Sequence, residues 1–442
     1  MKNEKRYYKR NIDKELDTWR FDRNHKPLLL RGARQVGKSS AVRNLSKKFE
    51  FYVEINFEEE QETKKVFENS NLTPRLICEK LAAIYEIPIV PGKTLLFFDE
   101  IQACIPAISS LRFFYEKMPD LHIIAAGSLL EFALEEIPSF GVGRIRSLFM
   151  YPFSFYEFLK ANGNALLLKA IKKSNLQNPL DTVLHNKALY LLKLFLIIGG
   201  MPETVATYVK NNDLLKCQTV LDELTVSLKS DFTKYKKRIP SLQIYAAFNS
   251  VIMQTLNKFK YTNNHFEYSI YQMKQSVEML IMAGLVIPVT HTSANGLPLG
   301  AEINAKFRKM MLLDTGIYQR LLGLQMSDIL LNDDFDVINK GNIAEMYVGL
   351  ELLKSSSCFE QTQLYYWLRE KKNSQAEIDF LVRKNTQIIP LEVKSGKQGK
   401  MQSLRQFIKE KKTEYGIRAS LENFGESPVI KIYPLYAVAN IF

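Results

Sequence analysis

The run Gly32-Ala33-Arg34-Gln35-Val36-Gly37-Lys38-Ser39 constrains this 442-residue chain more than any other feature, because it sets two glycines, a lysine and a serine at the spacing of a phosphate-binding loop. Such a loop joins a strand to a helix. Leu28 to Leu30 reads as the end of a buried strand, and Ser40 to Glu50 as a helix with Val42, Leu45 and Phe49 on one face. In that setting Gly32 and Gly37 let the backbone curl. The N–H groups of Ala33, Arg34, Gln35 and Val36, and those of the helix start at Ser39 and Ser40, then point at a β-phosphate. Lys38 reaches the β- and γ-phosphates of ATP, and Ser39 presents a hydroxyl to Mg²⁺. The competing reading is a glycine-containing turn that matches by chance, and the strand-loop-helix context argues against it.

A second motif follows some sixty residues later. Thr94 to Phe98 is an apolar strand ending in Asp99-Glu100. Asp99 is placed to hold the Mg²⁺ shell and Glu100 to polarise the water that attacks the γ-phosphate. A third strand, His122 to Ala126, ends in Gly127-Ser128. Ser128 then either hydrogen-bonds the γ-phosphate or the attacking water, or caps the helix Leu129 to Leu134.

Further stretches are Phe97-Phe98-Asp99-Glu100-Ile101-Gln102, Ala126-Gly127-Ser128-Leu129-Leu130, Val142-Gly143-Arg144, Tyr151-Pro152-Phe153-Ser154-Phe155-Tyr156-Glu157-Phe158, Gly199-Gly200-Met201-Pro202-Glu203 and Leu391-Glu392-Val393-Lys394-Ser395-Gly396. With the P-loop, these make the chain resemble, over nearly its whole length, the bacterial and archaeal AAA-type ATPases that carry a C-terminal domain of unknown function. The resemblance implies an ATP- and Mg²⁺-dependent hydrolase. It also makes Arg144 the preferred arginine finger or sensor, reaching the γ-phosphate of its own or a neighbouring subunit of an oligomer, against a plain structural salt bridge.

Size and a hydrophobic fraction of 46% fit about three domains with ordinary cores. The longest apolar run, Ala188 to Met201, contains Lys193 and is too short to span a bilayer, so no membrane is expected. The charged stretch through Arg23 carries no apolar signal region. Cys78, Cys104, Cys217 and Cys358 lack metal or disulfide spacing, and together these features lead to the expectation of a cytoplasmic protein with reduced thiols. A net charge of +13 points to an anionic partner, with DNA or RNA ahead of a membrane surface, although solvated lysine-rich faces have the same composition. Lys394 to Lys412 holds seven basic residues and one acidic, and Lys234-Tyr235-Lys236-Lys237-Arg238 is a second cluster.

The expected fold class is α/β: a P-loop NTPase parallel sheet, then a helical and winged-helix region, then an α/β restriction-endonuclease-like domain. Residues 1–159 form the AAA-type P-loop ATPase domain, with strands near Leu28, Tyr52, Leu95, Ile123 and Phe149. Residues 160–235 read as a helical linker region, broken at Gly199-Gly200-Met201-Pro202. Residues 236–323 read as winged-helix-like, because the helix Tyr271 to Ala283 leads into a strand pair around Gly296. Such a module either binds DNA or serves as a packing unit.

Residues 324–442 hold a second constellation. Glu377 to Val382 and Gln387 to Val393 alternate as strands. With Asn385-Thr386 as a two-residue turn, Lys384 pairs with Gln387 and Asp379 lies opposite Glu392, with Lys394 on the same face. Like charges so placed ask for a cation. Asp379, Glu392 and Lys394 resemble the Asp…Glu-x-Lys pattern of restriction-endonuclease-like nucleases, with Glu345 on the helix Asn342 to Leu353 as an extra acid. The carboxylates would bind a second Mg²⁺ or Mn²⁺ and Lys394 would activate water. The alternative is a retained fold with an inert ion cluster. Pro390, which cannot donate to a ladder, predicts an edge strand.

Two functions remain open at this point. One is an ATPase that couples nucleotide state to a nucleic-acid-binding C-terminal half with nuclease chemistry as an option. The other is an ATP-dependent switch or scaffold acting on a protein partner. A scaffold without hydrolysis has no need of Glu100.

Overall fold

The computed structural model describes residues 6–68, 73–128, 130–135, 143–235, 239–263, 268–326, 342–370, 376–395 and 401–441. Two compact units emerge: residues 1–152 with 282–284 and 357–361, and residues 153–281 with 285–356 and 362–442.

In the first unit five strands, β1 (Leu28–Arg31), β2 (Phe51–Asn56), β3 (Thr94–Asp99), β4 (His122–Ala126) and β5 (Arg146–Phe149), lie where their apolar runs predict. They form one sheet in the order β2-β3-β4-β1-β5, and every pair is parallel. Every residue of β3 and β4 is buried, as a strand covered on both faces requires. The covering helices are α1 (Ile12–Phe21), α2 (Lys38–Ser46), α3 (Gln61–Glu68), α4 (Pro74–Tyr85), α5 (Ile105–Lys117) and α6 (Leu130–Glu135). Phe57, Phe67, Phe98 and Phe114 meet edge to face in its main core. Because all five strands run the same way, the residues after β1, β3 and β4 collect at one edge, the usual place for a ligand in such sheets.

The second unit starts with α7 (Phe155–Ala161), α8 (Ala165–Lys173), α9 (Thr182–Ile198), α10 (Pro202–Asn211) and α11 (Leu214–Ser230). The double glycine after α9 is a packing requirement. A Cβ on Gly199 would stand 2.1 Å from Asp314 Oδ1, and one on Gly200 would stand 2.4 Å from the Phe153 carbonyl oxygen. Asp314, fully buried, accepts hydrogen bonds from the N–H groups of Gly200 (2.6 Å) and Ile317 (3.0 Å).

Next come α12 (Ser241–Met253) and α13 (Ile270–Met282), then the antiparallel hairpin β6 (Val286–Thr292) and β7 (Ile303–Leu312) around Gly296. The hairpin does not stand alone. After α14 (Thr315–Leu321) and α15 (Asn342–Ser355), β8 (Leu364–Leu368) pairs with β6 in parallel, and the sheet continues through β9 (Glu377–Lys384), β10 (Gln387–Val393), β11 (Gly416–Ser420), β13 (Ile430–Pro434) and β12 (Gly425–Ser427). One eight-stranded sheet therefore runs across the expected division at residues 323 and 324. The helix α16 (Gln402–Lys411) packs on it through Leu404 and Phe407.

The β9–β10 hairpin has the register its turn implies. Lys384 pairs with Gln387 and Phe380 with Leu391, and Asn385 takes the left-handed conformation at φ 54°. The edge position expected from Pro390 is not found, because β10 lies between β9 and β11. Pairing with β11 starts at Leu391, one residue beyond the proline, so the missing N–H interrupts no bond of that ladder. Lys236, Lys237, Arg238, Lys397 and Lys400 of the basic clusters lie outside the described residues. Among the described residues no helix is long and apolar enough to cross a membrane, and all four cysteines are free thiols.

A stacked histidine pair ties α1 to the first sheet. The His25 and His122 rings lie 3.9 Å apart at 11°, and Trp19 meets both edge on. Burial, together with His25, pulls the His122 pKa down to about 4. A histidine depressed in the folded state stabilises it fully above its unfolded pKa, near 6.5, and loses that contribution as pH falls toward 4. The first unit should thus lose stability between pH 6.5 and 4. His122→Gln should flatten that part of the thermal-melting profile against pH.

Candidate functional site

The phosphate loop is shaped by three left-handed residues, Gly32 (φ 142°), Gln35 (φ 63°) and Gly37 (φ 98°), the last at the N-terminus of α2. Lys38, 8% exposed, folds back so that Nζ donates to the carbonyl oxygens of Gly32 (2.9 Å) and Ala33 (2.8 Å). Burial lowers its pKa to about 8, and the charges of Glu100 and Asp99 oppose that fall. Ser39 hydrogen-bonds to Asp99, whose carboxyl is pushed above its ordinary range by burial and held back by that bond. Arg34 and Gln35 line the outer side of the loop with Ser40 exposed in the first turn of α2, while Ala33 and Val36 are buried.

Glu100 follows β3 in a left-handed conformation, φ 48°, which turns its side chain across the sheet edge. Its Oε2 accepts from Gln102 Nε2 at 2.7 Å, and from the N–H and the hydroxyl of Ser128 at 3.4 Å each. Glu100 and Ser128, expected from separate motifs, thus share one oxygen. The sequence argument missed Gln102 as the group that orients this carboxylate, although it sits in the quoted Asp-Glu-Ile-Gln run. It also missed Arg10, whose guanidinium donates to the carbonyls of Val36 (3.0 Å) and Tyr151 (2.7 Å).

Arg144 Nε lies 2.5 Å from Glu116 Oε1 on α5, which also receives Arg112 Nε at 3.0 Å. Arg112, and then Arg144, hold the Glu116 carboxyl below its usual range. Arg144 is therefore engaged in an exposed ion pair in this structure. At the mouth of the loop, Arg31 is bound by Glu131 of α6 and covers the Phe149 ring.

A buried lysine serves as ligand for Mg²⁺-nucleotide only if its charge is left available. Carbonyls of the loop hold Lys38, and Ser39 and Asp99, a hydroxyl and a carboxylate, are paired beside it. These residues fit the group: Ser39 and Asp99 would hold Mg²⁺, which neutralises phosphate charge.

The C-terminal constellation differs in character. Lys309 on β7, 3% exposed, lies 2.9 Å from Glu345 Oε1 and also pairs with Glu377. Burial and the nearby Asp379 raise the Glu345 pKa, while burial pulls that of Lys309 down and the carboxylates of Glu345, Glu377 and Asp379 together outweigh it and raise it. Asp379 Oδ2 accepts from the Val393 N–H at 2.8 Å, and Lys394 Nζ lies 2.7 Å from Glu392 Oε1. The β9–β10 ladder ends at Phe380 and Leu391, one pair short of Asp379 and Glu392, and Lys309 and Lys394 bring two ammonium groups to this cluster. Among the described residues no group of three or more His, Cys, Asp or Glu side chains is arranged to hold a metal ion. Nothing in the pattern around Lys309 singled it out, because Lys306, Arg308 and Lys309 look alike in a polar hairpin strand.

The fold and the loop define a P-loop nucleotide-binding unit. Residues 24–159 match the model described as AAA domain. Residues 190–328 and 340–438 match two models each described as a domain of unknown function. No curated protein matches the chain. Among solved structures the chain is similar to a Walker-type ATPase of Pyrococcus abyssi, at 16% identity, covering 72% of this chain and 96% of that one with a TM-score of 0.46. It is also similar to the Orc1 protein of Aeropyrum pernix solved in complex with DNA, at 11% identity, covering 73% and 92% with a TM-score of 0.27. A signal transduction ATPase with numerous domains from Pyrococcus horikoshii matches at 11% identity, covering 76% and 44% with a TM-score of 0.26.

Removing Lys309 leaves Glu345, Glu377 and Asp379 without their ammonium group. Lys309→Met should cost about 3 kcal/mol in a denaturant titration, the loss typical of one partner removed from a buried ion pair. A change below about 0.5 kcal/mol would mean that Lys309 does not neutralise the cluster.

Proposed function

We propose that the chain binds and hydrolyses Mg²⁺-ATP at the carboxyl edge of its parallel sheet and uses nucleotide state to control its second unit. The observation that supports hydrolysis is the Glu100 carboxylate. It is fixed by Gln102 and Ser128 beside the Ser39–Asp99 pair, where it can take the proton of an attacking water at Oε1 or Oε2. Lys38 and the loop amides bind the phosphates, Ser128 orients the carboxylate or the water, and Arg144 acts as finger or sensor once released from Glu116.

Lys38→Ala should abolish tight ATP binding. Glu100→Gln should bind ATP with near wild-type affinity and lose turnover, by about 100-fold or more for a lost general base. A Glu100→Gln protein that hydrolyses ATP at the wild-type rate would reject the assignment, as read by phosphate release at saturating Mg²⁺-ATP.

For the second unit the reading is a nucleic-acid-binding half. Its support is the net charge of +13 and the basic stretch that includes Arg405 and Lys409, exposed on α16. The order α15-β8-β9-β10-α16-β11 also agrees with a restriction-endonuclease-like core. A second reading, a switch on a protein partner with an inert nuclease-like domain, is favoured by Lys309 and Lys394 in the place of a metal. DNA binding should weaken log-linearly with salt, with a slope of about 0.9 per neutralised phosphate. Reversing charge at Arg405 and Lys409 should flatten the slope in fluorescence anisotropy. No binding at low salt would select the protein-partner switch.

A further inference from the structure

Arg10 precedes α1 and is far in sequence from the phosphate loop, yet the residue is buried, 6% exposed, with its guanidinium bonded to that loop. One terminal nitrogen donates to the Val36 carbonyl at 3.0 Å and the other to the Tyr151 carbonyl at 2.7 Å. The arginine is itself held in place. Its backbone N–H donates to Asp13 Oδ2 at 2.8 Å, and Tyr7 Oη donates to Asp13 Oδ1 at 2.6 Å. Charge-assisted bonds to two backbone carbonyls fix those carbonyls in place, so what they do matters.

Val36 is flanked by two left-handed residues, Gln35 at φ 63° and Gly37 at φ 98°. The peptide joining Val36 to Gly37 can flip at little steric cost, since glycine tolerates either orientation. A trans peptide is planar, with its C=O and N–H directed oppositely. Fixing the Val36 oxygen on Arg10 thereby turns the Gly37 N–H away from Arg10. Gly37 caps the start of α2, where N–H groups gather to receive an anion.

We propose that Arg10 is a positioning residue for the nucleotide: by holding the Val36 carbonyl it presets the Gly37 N–H toward the phosphates. This inference rests on the nucleotide-binding reading of the loop. Tyr7 and Asp13 support Arg10, and the Tyr151 carbonyl receives its other donor, so the guanidinium spans the loop and the segment that follows β5. A single ammonium lacks the fork needed to meet both carbonyls in the same geometry.

The test uses the full chain with Mg²⁺-ADP in calorimetry and Mg²⁺-ATP in steady-state turnover. Arg10→Ala should bind ADP roughly tenfold more weakly, the loss of about one charge-assisted hydrogen bond to the loop. KM for ATP should rise by a similar factor with kcat within about twofold, because the amide contacts the phosphates equally before and during reaction. Arg10→Lys should recover part of the affinity. A merely structural arginine would lower the melting temperature and leave ADP affinity unchanged in the folded protein. That result in Arg10→Ala, or in Arg10→Lys where the alanine variant does not fold, overturns the proposal. Wild-type protein that binds no ADP would instead overturn the nucleotide-site reading beneath it.

Discussion

A close approach of two backbones organises the carboxyl edge of the first sheet. A Cβ on Gly32 would stand 2.1 Å from the Met150 carbonyl oxygen, and the Met150 N–H donates to the Arg31 carbonyl at 2.8 Å. Only glycine lets β1 and the end of β5 converge there before the loop turns away at φ 142°. The starting point of the loop is thus set by the sheet and not by the ligand. Lys38 returns to the Gly32 and Ala33 carbonyls and closes the curl. The loop amides and the ammonium are then held in place before any phosphate arrives, which limits the ordering that binding must impose.

Buried cations are handled in two ways in this chain. Arg10 and Lys38 each donate to two backbone carbonyls, and Lys38 also lies in the field of Glu100 and Asp99. Lys309 is held by Glu345 and Glu377 with Asp379 nearby, and Lys394 by Glu392. Full negative charges there already pair with the ammonium groups. Lysine therefore meets neutral carbonyls at Lys38 and carboxylates at Lys309.

The features legible in the sequence were those fixed by local geometry. Gly32 to Ser39 and Asp99-Glu100 each need only their own strand and turn, and the β9–β10 register follows from the two residues Asn385 and Thr386 by counting. Arg10 and Lys309 were not legible, because each owes its role to groups brought near by the fold: Val36 and Tyr151 for one, Glu345 and Glu377 for the other. The joining of the hairpin to the C-terminal sheet was hidden for the same reason. Strand pairing between Thr290 and Tyr365 leaves no trace in either segment's alternation. Pro390 misled because a missing N–H excludes a ladder bond, not an interior strand, and that nitrogen sits just outside the β11 ladder.

The continuity of the eight-stranded sheet changes what the hairpin is for. In a free-standing winged-helix module β6 and β7 would be its wing, exposed at an edge. Here β6 covers the flank of β8 that would otherwise present unpaired N–H and C=O groups. β7 sends Lys309 back to carboxylates carried by α15 and β9. Hydrogen bonding and charge balance therefore both require the strands on either side of residues 323 and 324 to form together. A chain cut at that point would leave β8 with an open edge and Glu345, Glu377 and Asp379 with no ammonium among them. The hairpin is in this sense a structural part of the C-terminal sheet, whatever its outer face meets.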